Sequence, residues 1–366
     1  MRTRRLTLLS SSIALLLAGL AGPVAAARPA PAVTPSTPSN GAWVVVRSPG
    51  RATSTPGAGD QGNTTHGTNT VKRTAVGRWQ VRFPGIRAYA VAQVVALNTA
   101  PRRCQITNTV WNPGGVYTAV SVACFTPAGA PVDTRFIATI TRGGTSGDAA
   151  RFLGLAAADD PTAGAAYTPI VRRNSMGGSV HVTRNGVGHY AVSFETPLDS
   201  AQSIAVVTAV AAPTQQRACQ VIGWGASSGQ ANIDVACQDG TGVAADSRFT
   251  LQYGVRTGLE GILNGPAASF WNDTPTSGTP WAPLGYYDYS TANKLAKIAQ
   301  VSTGVYRVTL KGMPAGGAAI VNAYDQGRTC QVGSIRSSGT PQQVEVRCFL
   351  FDGTPADVDF DFAYTH

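Results

Sequence analysis

The residues with the most definite chemistry in this chain are six cysteines. They fall as three pairs, Cys104 with Cys124, Cys219 with Cys237 and Cys330 with Cys348, separated by 20, 18 and 18 positions. Zinc sites favour short Cys-x-x-Cys spacing with histidine nearby, and neither is present here. Six thiols allow fifteen pairings. A repeated unit folds by one local rule, however, and that rule selects 104–124, 219–237 and 330–348. Each bridge would close a loop of about twenty residues, worth about 3 kcal/mol if the effect is entropic.

Other chemistry-bearing residues are sparse. Gly225-Ala226-Ser227-Ser228-Gly229 matches a nucleophile-elbow pattern. Such an elbow needs a strand before it, a helix after it and a histidine in reach. Here it falls at the tip of the Cys219–Cys237 hairpin and reads as a turn. Four histidines occur, at 66, 181, 189 and 366. A two-residue turn at Asn185-Gly186 would put His181 and His189 on opposite faces of a hairpin, unable to share a metal. Asp159-Asp160 and Asp273 offer too few oxygens for calcium, so neither a metal nor a cofactor is expected. The richest candidate surface is Trp281, Tyr286, Tyr287, Asp288 and Tyr289. Aromatic ring faces beside a carboxylate are what a sugar-binding face would offer.

The elements that must position these residues repeat three times. Each first cysteine opens Cys-Gln-Val/Ile, and each second cysteine is followed nine residues later by Asp (133, 246, 357) and twelve later by Phe (136, 249, 360). The period is 115 residues from Cys104 to Cys219 and 111 from Cys219 to Cys330, which suits an independent β-domain. Trp79/Val81/Phe83, Tyr190/Val192/Phe194 and Tyr306/Val308/Leu310 alternate with polar residues, the period-two signature of half-buried strands. Helical periodicity is absent. The fold class is therefore all-β, as three tandem antiparallel β-sandwich-like repeats over 41–142, 150–254 and 267–366. Gly143–Gly147 and Gly254–Gly265 would serve as linkers. The alternative organisation is one three-lobed body sharing a core.

Three smaller expectations attach to the repeats. The recurrent Asp is expected to accept backbone N–H bonds in a local Asx-type turn, with a local ion pair to Arg135 or Arg248. A second recurring segment, Pro161-Thr162 to Tyr167-Thr168-Pro169 and Pro275-Thr276 to Trp281-Ala282-Pro283, is missing from repeat 1 on sequence grounds. The aromatics at 167 and 281 would then pack between strands.

Composition sets the remaining bounds. Basic residues 2, 4 and 5, the apolar run from Leu6 and Ala25-Ala26-Ala27 read as a secretory signal over 1–27, exported by the Sec or the twin-arginine route. A Pro/Ser-rich leader follows over 28–40, and no membrane anchor is expected. Formal net charge is +10, carried mainly by scattered arginines rather than by a basic stripe interleaved with aromatics. Nucleic acid is therefore not an expected partner. Taken together, the Cys-Gln-Val hairpins and the Pro-Thr segments make the chain resemble uncharacterised secreted bacterial proteins with tandem Cys-pair β-repeats. That resemblance implies a fold and its cross-links, and no activity. The functional expectation is a secreted, non-catalytic binding or surface-interaction protein whose partner is a cell-envelope polymer, a glycan or an extracellular protein. The alternatives are a hydrolase with a site between repeats and a purely structural extracellular protein.

Overall fold

A computed structural model describes residues 39–366 except 146–147, 260, 262–264, 274, 276–278 and 337. The expected signal and nearly all of the leader lie outside the described residues. Repeat 1 supplies β1 (Asn40–Val46), β2 (Thr53–Ser54), β3 (Gln61–Asn63), β4 (Thr70–Ala75) and β5 (Arg78–Pro84). Its second half supplies β6 (Val91–Ala96), β7 (Arg103–Asn112), β8 (Tyr117–Phe125) and β9 (Phe136–Arg142). Repeat 2 runs through β10 (Phe152–Ala158), β11 (Arg172–Asn174), β12 (Val180–Gly186) and β13 (His189–Glu195). It ends with β14 (Ser203–Val210), β15 (Arg217–Ser227), β16 (Gln230–Asp239) and β17 (Arg248–Val255). Repeat 3 runs through β18 (Ala267–Asn272), β19 (Tyr289–Ser290), β20 (Lys297–Ser302) and β21 (Val305–Leu310). It closes with β22 (Ala318–Ala323), β23 (Arg328–Ile335), β24 (Gln342–Leu350) and β25 (Phe360–Thr365).

Each repeat is a sandwich of two antiparallel sheets. One sheet has the order β3-β1-β9-β6, β11-β10-β17-β14 or β19-β18-β25-β22. The facing sheet carries the cysteine hairpin, as β7-β8-β5-β4-β2, β12-β13-β16-β15 or β20-β21-β24-β23, and the parallel pairing of β14 with β7 joins the first sheet of repeat 2 to the hairpin sheet of repeat 1 in one nine-stranded sheet. In β5 and β13 the aromatic and aliphatic side chains are buried and alternate with more exposed neighbours, as a one-faced strand requires. β6, β14 and β22 are buried nearly throughout, because one face meets the sandwich core and the other meets a neighbouring repeat. The three disulfides join cysteines directly opposite one another in their hairpins, in the pairing expected.

The repeats are not beads on linkers. Each keeps its own core, around Trp79 and Phe83, around Tyr190 and Phe194, and around Tyr306 and Phe362. The third core also takes in Val45 and Leu97 of repeat 1 and Val206 of repeat 2. Gly254, expected in a linker, lies inside β17 opposite Leu153 and Ile204. The equivalent strands β6, β14 and β22 touch one another pairwise and so surround a pseudo-threefold axis.

Cyclic contacts run around this axis. The glutamine after each first cysteine reaches into the next repeat. Gln105 donates to the Gln215 carbonyl at 2.7 Å and accepts from the Arg217 N–H at 2.8 Å. Gln220 donates to the Arg328 carbonyl at 3.0 Å. Gln331 donates to the carbonyls of Asn98 and Ala100 and accepts from the Arg102 N–H, closing the ring. Parallel bridges Val210–Ile106 and Leu97–Val332 run alongside two of these contacts.

The recurrent aspartate corrects three expectations. It does not close a local turn. Asp133, Asp246 and Asp357 accept the backbone N–H of Gly77, Gly188 and Gly304 at 2.7–2.9 Å, more than fifty residues upstream. Its side-chain partners are Arg73 at 2.7 Å, Arg184 at 2.9 Å and Gln300 at 2.8 Å, and not Arg135 or Arg248. The glycine clamped this way fixes the hairpin turn at Val187-Gly188 rather than Asn185-Gly186, with a bulge between Arg184 and Gly186. A tertiary contact thus overrides the local Asn-Gly preference. His181, opposite Ser193, and His189 consequently share a sheet face, but four residues apart along β13, or about 13 Å.

Repeat 1 lacks the Pro-Thr motif in its sequence but has a structural counterpart of the segment. Ser54 pairs with Val71 as Tyr167 pairs with Val182 and Trp281 with Ile298, and Thr55-Pro56 follows. The carbonyl of Pro49 accepts the Trp79 indole N–H at 3.0 Å, as that of Pro161 accepts the Tyr190 hydroxyl. With Ser54 in the aromatic's place and the proline shifted by one position, the sequence pattern was lost while the structure was kept.

Candidate functional site between repeats 1 and 2

Because the repeats pack cyclically, three equivalent junctions form, and the strand registers make their residues directly comparable. Four positions define each junction. One lies on the cysteine hairpin of one repeat, and three lie on the first sheet of the next or just beyond the ends of its strands.

Between repeats 2 and 3 these positions hold Trp224, Trp271, Tyr287 and Tyr324. Their rings pack edge-to-face or tilted, with centroids 5.0–5.9 Å apart. Between repeats 3 and 1 they hold Ile335, Val45, Asp60 and Leu97. The three aliphatic side chains are buried together in one core. Asp60 pairs with Arg47 at 2.8 Å, and Arg47 also donates to the Ile335 carbonyl.

Between repeats 1 and 2 they hold Thr109, Ala157, Val171 and Val210. These small side chains leave a cavity of about 380 Å³, within the range of small-molecule sites. Its inner wall is Ala158, Phe249 and Thr250, and its polar groups are Asn108, Thr118, Asp159 and Arg248. Two aromatic rings stand at the rim, Tyr89 at 62% and Trp111 at 41% exposure. Tyr89 is held at φ 63°, a left-handed conformation uncommon for a bulky residue and often found at functional sites. Asp159 accepts the Ile170 N–H at 3.3 Å, which fixes its carboxylate beside the rim.

The structure does not gather Trp281, Tyr286, Tyr287, Asp288 and Tyr289 onto one open face. Trp281 bridges to Ile298 and donates its indole N–H to Asn272 at 3.1 Å. Tyr287 belongs to the packed ring cluster, and Tyr286 leans on it with its own ring 48% exposed. Asp288 and Tyr289 are buried and line a separate cavity with Arg151 and Arg256. Burial pushes the Asp288 carboxyl up to about 6, opposed by the Ala296 N–H it accepts. Trp281 is partly buried and packs against the core of repeat 3.

Sequence reasoning missed Tyr89, Trp111 and the cavity beneath them, because a cavity made by small residues carries no motif. Aligning the three repeats position by position would have set Thr109 against Trp224 and Ile335, and Val210 against Tyr324 and Leu97.

Gly225 to Gly229 is a hairpin tip, with Ser228 and Gly229 at φ 52° and 80° between the paired Ser227 and Gln230. Among the described residues no group of three His, Cys, Asp or Glu is placed to hold a metal. The three disulfides suit an oxidising compartment, and no described helix is long and apolar enough to cross a membrane. No protein-family model, curated protein or solved structure matches the chain.

Proposed function

We propose that this is a secreted, non-catalytic binding protein that takes a sugar ring of an envelope or extracellular glycan in the cavity between repeats 1 and 2. One observation carries the reading. Of three junctions built on the same plan, two are filled by side chains, and the third is left open beneath two exposed rings. Exposed Trp and Tyr faces stack on the apolar face of a pyranose, while amide, hydroxyl, carboxylate and guanidinium groups meet its hydroxyls. Asn108, Thr118, Asp159 and Arg248 supply that set.

A glycan array probed with the mature chain, followed by calorimetry on the hits, tests the proposal. Binding that Trp111→Ala and Tyr89→Ala each weaken at least tenfold, with unfolding midpoints unchanged, supports it. Failure to bind any glycan, or binding indifferent to both substitutions, rejects it.

A further inference from the structure

A cavity of about 50 Å³ lies on the pseudo-threefold axis, where β6, β14 and β22 face one another. Its walls repeat with the molecule, the same step of each strand ending at Ala96, Ala209 and Ala323. The segments around the first cysteines complete it, among them Arg102, Arg103 and Arg217. That volume takes one small ion or a water or two, far less than a sugar ring.

Backbone donors converge there. In an antiparallel pair, residues that bond across the ladder alternate with residues that turn N–H and C=O to the other side. Val94 and Val207 are of the second kind, donating instead to Thr208 Oγ1 and Asn322 Oδ1 of the next repeat, each at 3.1 Å. Two residues on, Ala96 and Ala209 turn the same way. Ala323 matches them, because the neighbouring Tyr324 N–H is the one that bonds across the ladder, to the Asp359 carbonyl. The parallel contacts Leu97–Val332 and Val210–Ile106 are single bridges and do not continue back to the alanine N–H groups. The third copy adds one more donor. Residue 95 is the equivalent of Thr208 and Asn322, and as valine it offers the Val321 N–H no side-chain acceptor.

Charge is the independent sign. Arg103 is 7% exposed, and its guanidinium is tied to three main-chain carbonyls and to no carboxylate among the described residues. Buried charges are ordinarily paired, yet Asp239 acts on this one only through space. An arginine also stands two residues before every first cysteine, at 102, 217 and 328. Arg328 is paired with Asp325, and no ion pair holds Arg102 or Arg217 among the described residues. The cavity's described lining contains three arginines and no acid.

From the converging N–H groups and the uncompensated buried cation we infer that the axis holds one chloride-sized inorganic anion, ligated by the N–H groups of Ala96, Ala209 and Ala323. Oriented backbone N–H groups make anion sites of this kind. Water would fill the space but leave the charge of Arg103 unbalanced, and the arginines repel a cation. The site shares no residue with the cavity between repeats 1 and 2, so it stands or falls apart from the glycan reading.

Crystals of the mature chain in sodium bromide, measured at the bromine absorption edge, test the site directly. An anomalous peak on the axis among the three alanine N–H groups is expected. In solution, unfolding midpoints titrated with sodium chloride against sodium gluconate at equal ionic strength should show saturable stabilisation by chloride. Bromide should reproduce it, and gluconate, too large for the cavity, should not. Arg103→Gln should weaken the apparent chloride affinity at least tenfold. Arg102→Gln/Arg217→Gln, which leaves the Arg103 ties intact, should weaken it about threefold or more. No bromide on the axis, chloride no better than gluconate, or a chloride response untouched in both variants would overturn the inference.

Discussion

Arg103 donates its guanidinium N–H to the carbonyl of Phe351, 248 residues away, at 3.1 Å, and stacks on the same residue's ring at 4.5 Å. It also donates to the carbonyls of Pro127 at 3.1 Å and Gly240 at 2.9 Å. All three acceptors are third after the second cysteine of their repeat, so one side chain ties the same turn of every repeat. The equivalent positions are Ala218 and Thr329. Only one residue fits at the axis, which forces the copies to differ there. Burial holds the Arg103 guanidinium down to about 10. Arg103→Ala should lower stability by about 3 kcal/mol or more, since it removes three charge-assisted hydrogen bonds and leaves buried carbonyls unpaired. Chemical denaturation of the two proteins checks this, and a loss under about 1 kcal/mol would show that water replaces the side chain.

Gly188 has φ 69°, and a Cβ there would lie 2.4 Å from the Cys237 carbonyl oxygen. Gly188→Ala should therefore cost about 2 kcal/mol or more, from backbone strain together with the clash. Gly186→Ala, two residues away with open space around it, is the control and should cost far less. Equal losses would mean that the turn sits at Asn185-Gly186 after all.

Trp224→Ala should destabilise by about 2–4 kcal/mol, because it removes the ring that contacts Trp271, Tyr287 and Tyr324. The small residues at the equivalent positions between repeats 1 and 2 show that the fold closes without this cluster. The variant should therefore fold with a lower thermal midpoint and no loss of the far-ultraviolet β signal.

Asp361 is fully buried, and neither carboxylate oxygen has a hydrogen-bond partner among the described residues. Burial, reinforced by Asp359, holds its carboxyl well above the ordinary range, and Asp288 is raised to about 6. Both groups bind a proton more tightly folded than unfolded. Their contribution is complete below the unfolded value near 4 and is lost as pH rises through the folded values. Asp133 and Asp246 act oppositely. Hydrogen bonds from Arg73 and Arg184 lower them, so their contribution holds above about 4 and is lost as pH falls below it. Stability should thus peak in mildly acid solution and decline toward pH 8. Asp361→Thr, which installs the residue found at Thr250, should raise stability and flatten that decline. Denaturation midpoints from pH 4 to 8 decide the matter, and an unchanged slope would place the decline elsewhere.

The sandwich, the repeat and the disulfides were legible because each rests on a local pattern: alternation in Trp79/Val81/Phe83, fixed cysteine spacing, and Asp and Phe at constant offsets. What could not be read depends on contacts between distant segments. The partner of Asp246 is a glycine in another hairpin, and that contact moves the turn away from the Asn-Gly pair. Gln105, Gln220 and Gln331 stood in plain view in the Cys-Gln-Val pattern, yet their role as cyclic ties requires knowing that the repeats close on themselves. The aromatic-rich stretch 281–289 drew attention by composition, but at a packed junction aromatic residues are filler, and the open junction is marked by small ones.

The most direct test of the binding reading is to fill the open junction with the residues of its aromatic counterpart. Ala157→Trp/Val210→Tyr should fold, keep the three disulfides and lose binding to every glycan the wild-type chain recognises through Trp111. Undiminished binding by that variant, correctly folded, would contradict the assignment of the cavity between repeats 1 and 2 as the site.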